Sequence, residues 1–200
     1  HLEHQIRDML VFAKGDSRLA EKLDVSQFID SLKQAADPVC QKAGIQANWH
    51  IVDSDSVIMC NKETLVGACL NLINNSIEAG AQAKRSDLQL DISTLFEDEN
   101  SMTLIVKDNG PGLPAGSKNK VFEPFYTTKP QGTGLGLAVV QAVVKAHKGE
   151  FEVSSSKQGV AASVRLPVYA NGSQKKTRSA DAPTLSANPA VDANQSDLKR

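Results

Sequence analysis

Asn71, Asn75 and Glu78 stand at positions i, i+4 and i+7 of one apolar-rich stretch, so a helix would bring all three onto one face. Asn is a mediocre helix former because its side chain competes for backbone groups. Two on one face read either as a solvated polar side or as oxygen donors turned toward a hard cation and its phosphates. Mg²⁺ takes few protein ligands besides waters and phosphate oxygens. Further along, Asp108-Asn109-Gly110-Pro111-Gly112 follows a strand-like run directly. Asn-Gly and Pro-Gly are strong turn dipeptides, but a turn requires neither the Asp nor two glycines beyond it. A carboxylate there can accept a hydrogen bond from the amino group of adenine, and glycines remove the Cβ atoms that would block a flat base. Gly132-Thr133-Gly134-Leu135-Gly136-Leu137 then opens a helix, and free N–H groups at a helix start attract phosphate. The spacing is G-x-G-x-G with no strand just before it and no Gly-Lys-Ser/Thr ending. It therefore matches neither the dinucleotide fingerprint nor a P-loop. A flexible linker would not explain the good helix that follows at once.

Hydrophobic periodicity supplies elements to position these residues. A helix is predicted over Asn61–Ala79, with Asn61 as N-cap, Glu63 in the first turn and Gly80 as the stop. Leu65, Cys69, Leu72, Ile73 and Ile77 make its apolar stripe, roughly opposite the Asn71 face. Earlier helices are predicted over residues 1–14 and over Ser26–Lys42, the latter closing at Gly44. Strands are expected at Ile45–Val52, Val57–Cys60, Leu88–Phe96 and Met102–Lys107. A Gly- and Pro-rich region from Asp108 to Gly136 is long for a loop, and such loops are usually functional or mobile. A helix at Leu137–His147, ending at Gly149, and strands at Phe151–Ser155 and Ala161–Val168 complete the unit. This order points to a two-layer α/β sandwich on a mixed sheet.

Composition bounds the possibilities. Two hundred residues suffice for one ordinary core. A formal net charge of -1 argues against an electrostatic nucleic-acid binder. The apolar runs are too short to cross a bilayer. Cys40, Cys60 and Cys69 lack metal-ligand spacing and read as buried free thiols in a reducing, cytoplasmic compartment. A start at His1 is expected of a piece of something longer. Residues 170–200 are rich in Ser, Asn, Asp, Ala and Lys, and are expected to be a disordered tail.

Leu70-Asn71-Leu72-Ile73-Asn74-Asn75-Ser76 resembles the N box of the histidine-kinase branch of the GHKL nucleotide-binding superfamily. Asp108-Asn109-Gly110-Pro111-Gly112 resembles its G1 box, Phe122-Glu123-Pro124-Phe125 its F box, and Gly132-Thr133-Gly134-Leu135-Gly136-Leu137 its G2 box. All four stand in family order, and the resemblance covers about residues 20–168. It implies a Bergerat fold with a mixed sheet and three main helices, ATP lying between the helical layer and a lid. By the same resemblance Asn75 coordinates Mg²⁺, Asn71 assists at the phosphates, and Glu78 shares their face. Asp108 recognises adenine, and Gly110, Gly112, Gly134 and Gly136 allow close approach to the nucleotide. Phe122, Gly132, Thr133 and Leu135 enter the expected site as members of their boxes. Thr127, Thr128 and Lys129 lie in the lid, Lys129 being either a phosphate contact or a solvated surface lysine.

The resemblance further implies transfer of the ATP γ-phosphoryl group to a histidine outside this chain, then to a response-regulator aspartate. It makes residues 1–16 the end of a second dimerisation helix and 17–169 the catalytic domain. His4 fits an acceptor poorly, because Asp8-Met9 replaces the usual polar-Pro pair and no matching antiparallel helix follows. His50 and His147 read as surface or packing residues. The short lid between Phe125 and Gly132 resembles those of nitrogen-regulation and flagellar sensor kinases. The strand Gly159-Val160-Ala161-Ala162-Ser163 stands where many relatives carry threonines, so Ser163 or a water takes that contact. Hydrolases on this fold place a Glu one turn before the metal-binding Asn as general base. Asn71 holds that position here, and an amide cannot take the proton. A nucleotide-binding regulatory module without turnover is the other alternative; the F box and lid weigh against it.

Overall fold

The computed structural model describes residues 20–117, 119–129 and 132–171. The expected N-terminal helix, His4 and all but the first two residues of the expected tail lie outside these. Eight strands and three α-helices follow in chain order among the described residues: β1 (Glu21–Asp24), α1 (Val25–Ala43), β2 (Ala47–His50), β3 (Ser56–Cys60), α2 (Lys62–Gln82), β4 (Leu90–Asp98), β5 (Ser101–Asp108), α3 (Gly136–Ala146), β6 (Glu150–Ser156), β7 (Gly159–Pro167) and β8 (Tyr169–Ala170).

The main sheet has the order β2-β4-β5-β7-β6. β2 runs parallel to β4 and the other pairs are antiparallel, so the sheet is mixed as expected. The period-2 alternation of strands turns Met102, Leu104 and Val106 of β5 to the same side as Leu90 and Ile92 of β4 and Ala162, Val164 and Leu166 of β7. All are buried in one cluster with the helices. α1 contributes Phe28, Ile29, Leu32 and Ala36, α2 contributes Leu65, Cys69, Leu72 and Ile73, and α3 contributes Val139, Val140 and Val143. Helices on one face of a sheet give the two-layer sandwich.

Local signals explain most helix ends. Asn61 Oδ1 accepts from the Thr64 N–H at 3.0 Å, as an N-cap should. α1 stops where Gly44 adopts φ 69° and donates its N–H to the Gln41 carbonyl at 3.0 Å. Gly80 does not end its helix; α2 continues to Gln82. A Cβ on Gly80 would run into the Leu88 side chain, so the glycine makes room for Leu88, which is buried.

β1 and β8 have no periodic signal and were not expected. Both exist because β3 offers two edges: β1 pairs with it through Glu21–Cys60 to Asp24–Val57, and β8 through Tyr169–Val57 and Ala170–Ser56. The ordered unit thus runs past the expected boundary at 169. Asn171 donates to Asp24 Oδ1 at 3.0 Å and accepts from Lys22 Nζ at 2.9 Å.

Cys40, Cys60 and Cys69 are all buried free thiols. Burial pushes the Cys60 thiol up to about 11 and the Cys69 thiol up to about 12, and also raises Cys40. At pH 8 the folded chain is therefore expected to resist a thiol reagent that labels all three in urea. The sign of the linkage follows: above pH ~9 the unfolded chain ionises thiols that the fold keeps neutral, so stability falls as pH rises. Rapid labelling of Cys69 in the native protein would contradict the packing of α2.

Candidate functional site

A cavity of about 1050 Å³ opens beside α2, the ends of β5 and β7, and the chain from Pro111 to Gly136. Asn71, Asn75 and Glu78 all line it, as the i, i+4, i+7 spacing requires. Asn71 is buried and Glu78 exposed, so the face runs from interior to rim. Val106, Val153, Val160 and Ala162 line the sheet side. An apolar wall with few convergent polar groups suits a flat organic ring.

Asp108 ends β5 inside this wall and is only 4% exposed. Its Oδ1 accepts from the Gly110 N–H at 2.8 Å and the Val160 N–H at 3.1 Å. Its Oδ2 accepts from Ser76 Oγ at 2.7 Å. Three donors hold one buried carboxylate, which satisfies the demand that a buried charge be hydrogen-bonded. Ser76 was given no role from sequence; its place beside Asn75 inside the N-box motif was the available signal. Ser163 does not reach the cavity. Strand alternation puts Ala162 on the cavity side of β7 and Ser163 on the other, opposite Ile105 and Glu152.

The glycines divide by what they face. Gly112 has φ 77°, and a Cβ there would strike the Ser156 carbonyl; Gly134 has φ 67°, and a Cβ would strike the Phe125 backbone. Both line the cavity, yet their need for glycine comes from backbone packed behind them. Gly136 fits the expectation better: a Cβ on it would lie 3.6 Å from Asn75 Nδ2, toward the cavity. Gly110 packs over the Asp108 carboxylate and does not line the space. Neither do two other expected residues. Leu135 is buried in the core, and Phe122 stacks edge-on against Phe151 with centroids 5.6 Å apart. Together with buried Val121 and Ser117, Phe122 anchors a stretch expected to be loosely held. The chain before Glu123 is thus tied to the core even though Leu113, Pro114 and Val121 also line the cavity.

Thr127, Thr128, Lys129, Gly132 and Thr133 line the cavity after Glu123. Thr127 Oγ1 accepts the Lys129 N–H at 3.0 Å, setting a turn. Lys129 Nζ then reaches α2, 3.0 Å from Asn75 Oδ1 and 2.5 Å from Glu78 Oε2. The ammonium is thus a cation held by an amide oxygen and a carboxylate oxygen. This donor set fits Mg²⁺, a hard ion that takes one or two protein oxygens and completes its shell with phosphate and water.

Three comparisons bear on this geometry. Residues 60–170 match the family model "Histidine kinase-, DNA gyrase B-, and HSP90-like ATPase". The chain belongs to this family. Sensor protein kinase FleS of Pseudomonas aeruginosa is 42% identical over 168 residues, covering 84% of this chain and 40% of FleS. The chain thus spans well under half the length of this ATPase-family relative. Full-length ShkA in complex with AMPPNP superposes with TM-score 0.71 at 22% identity, over 86% of this chain and 36% of that one. Histidine kinase ThkA in complex with response regulator protein TrrA gives TM-score 0.66 at 21% identity, over 83% and 47%. At those identities the two structures establish the ATPase-family fold alone.

Within this ATPase-family fold His147 has a definite task that sequence left as packing. Its Nε2 accepts the Asn61 N–H at 3.1 Å while Nδ1 lies 2.7 Å from the Val143 carbonyl, tying the end of α3 to the N-cap of α2. The lid has a comparable tie in Lys129. Because Glu78 is half exposed, the pair is worth at most about 1 kcal/mol. Lys129→Ala is therefore expected to speed amide exchange of residues 123–129 about two- to fivefold without nucleotide. Unchanged exchange would show that this contact does not hold the lid.

Proposed function

We propose that this chain binds Mg·ATP in the α2 cavity and presents the γ-phosphoryl group to a histidine on a separate helix. The phosphohistidine then serves the aspartate of a response-regulator receiver domain. The observation that carries this reading is the pairing within one cavity of a buried acceptor, Asp108, with the cation-holding oxygens of Asn75 and Glu78. Asp108 accepts the adenine amino group, and Val106, Val153, Val160 and Ala162 face the ring. Asn71 lies one turn before Asn75, toward the phosphates. Mg²⁺ held by Asn75 and Glu78 would neutralise phosphate charge, and Lys129, once displaced, is free to pair with phosphate oxygens. Positioning and charge neutralisation suffice for phosphoryl transfer to a nucleophile that needs no base, as neutral imidazole is.

FleS, by its name a kinase, the AMPPNP-bound ShkA and the regulator-bound ThkA all support the reading. It carries with it dimerisation through helices preceding this chain, a cytoplasmic site of action and, from the likeness to FleS, flagellar regulation. Among the described residues no helix is long and apolar enough to cross a membrane. Phe125, 68% exposed beside the cavity mouth, is available for docking the acceptor helix.

The ATP-hydrolase alternative needs a base for water. Asn71 cannot serve, and Glu78 in this reading is taken up in holding Mg²⁺. To test the kinase reading, the chain is incubated with Mg²⁺, γ-labelled ATP and a longer form of the protein that carries the acceptor helix and Asn75→Ala. Acid-labile, base-stable label on the longer form is expected. Fast phosphate release without label, abolished by Asn71→Ala, would favour the hydrolase.

A further inference from the structure

Asp108 and Ser76 share a hydrogen bond whose direction is fixed. A carboxylate offers about four lone-pair positions and no proton, while a hydroxyl has one proton and two lone pairs. The 2.7 Å contact from Ser76 Oγ to Asp108 Oδ2 must therefore spend the Ser76 proton. The Gly110 and Val160 N–H groups fill Oδ1, at 2.8 and 3.1 Å. Asp108 is left with one open position, on Oδ2. Ser76 is left with lone pairs only. Both residues are less than a tenth exposed, and both line the cavity. Serine in a helix commonly bonds the carbonyl one turn back; this one reaches across 32 residues to β5 instead.

We infer that Ser76 is a specificity-determining positioning residue. By donating to Oδ2 it fixes the rotation of the Asp108 carboxylate and makes the pair an acceptor-only surface at the base end of the cavity. A purine that places an exocyclic amino group there gains a hydrogen bond. One that places a carbonyl there sets lone pair against lone pair, and leaves a buried acceptor unpaired. The consequence is discrimination between adenine and 6-oxopurines, to which Ser76 contributes through Asp108 and not by touching the base alone. The inference rests on the nucleotide reading above and extends it to a residue with no assigned role.

The test is calorimetric titration of the 200-residue chain with ADP and with inosine diphosphate, which carries a carbonyl in place of the amino group. Wild type, Ser76→Ala and Ser76→Cys are compared, each with its melting temperature. The wild-type chain is expected to prefer ADP by about a hundredfold, and Ser76→Ala to lower that preference by about tenfold. Ser76→Cys fills nearly the same space with a poor donor and should lower it almost as much. A looser fold would weaken both nucleotides alike and leave the ratio unchanged, so the ratio separates positioning from packing. An unchanged ratio in Ser76→Ala, with Asp108→Asn losing it, overturns the role of Ser76 and leaves the base site standing. Failure of the wild-type chain to bind ADP, or binding untouched by Asp108→Asn, overturns the nucleotide reading and this inference with it.

Discussion

Asp108→Asn is expected to weaken ADP binding by roughly 30- to 700-fold, the equivalent of about 2–4 kcal/mol. The substitution is nearly isosteric, and its Oδ1 can still accept from Gly110 and Val160. Ser76 can turn its hydroxyl to accept from the new amide. The fold should therefore survive with little change in melting temperature. The open position is what reverses: where Oδ2 accepted, an N–H now points at the amino group of the base. Donor meets donor in a buried site, and the nucleotide loses its main directional contact. Calorimetry with ADP reads the effect directly. Affinity retained within threefold would remove Asp108 from the base site.

The second large effect concerns Asn75. Asn75→Ala deletes one of the two oxygens that hold the Lys129 ammonium and, by the reading above, one of the two that hold Mg²⁺. In the wild-type chain Mg²⁺ should tighten ADP binding. In the variant the ratio of affinities with and without Mg²⁺ should approach one, while the Mg²⁺-free affinity stays close to wild type. Phosphoryl transfer is expected to fall by at least about 100-fold, because a metal ion supplies several kcal/mol of charge stabilisation in such a transition state. A variant that keeps its Mg²⁺ response would move the cation site elsewhere on the cavity wall.

How much of this was readable beforehand depended on distance along the chain. α1, α2 and α3 were legible because each carries an apolar stripe at helical spacing, and Asn61 announced its own cap. Asn71, Asn75 and Glu78 were legible for the same reason: periodicity alone puts them on one face. Asp108 was legible from the residues that follow it. The misses come from contacts between distant residues. Gly80 reads as a stop in its local context, but Leu88 folds back over it. Gly112 and Gly134 do line the cavity, but what their own motifs could not show is the Ser156 and Phe125 backbone packed behind them, which also requires glycine. The choice between Ala162 and Ser163 turned on strand register, where one residue exchanges the two faces. Ser76 has no signal of its own until β5 is beside α2.

The pairing of β1 and β8 on opposite edges of β3, with Asn171 bridging Lys22 and Asp24, has a mechanical consequence. The chain enters and leaves this unit at the same corner. The same geometry makes the unit a candidate for circular permutation. A short linker could join Glu21 to Asn171, and new ends could open at the exposed turn Glu99-Asn100 between β4 and β5, which does not line the nucleotide cavity. A permutant of that kind would carry the cavity on a different stalk, turned to face a different direction.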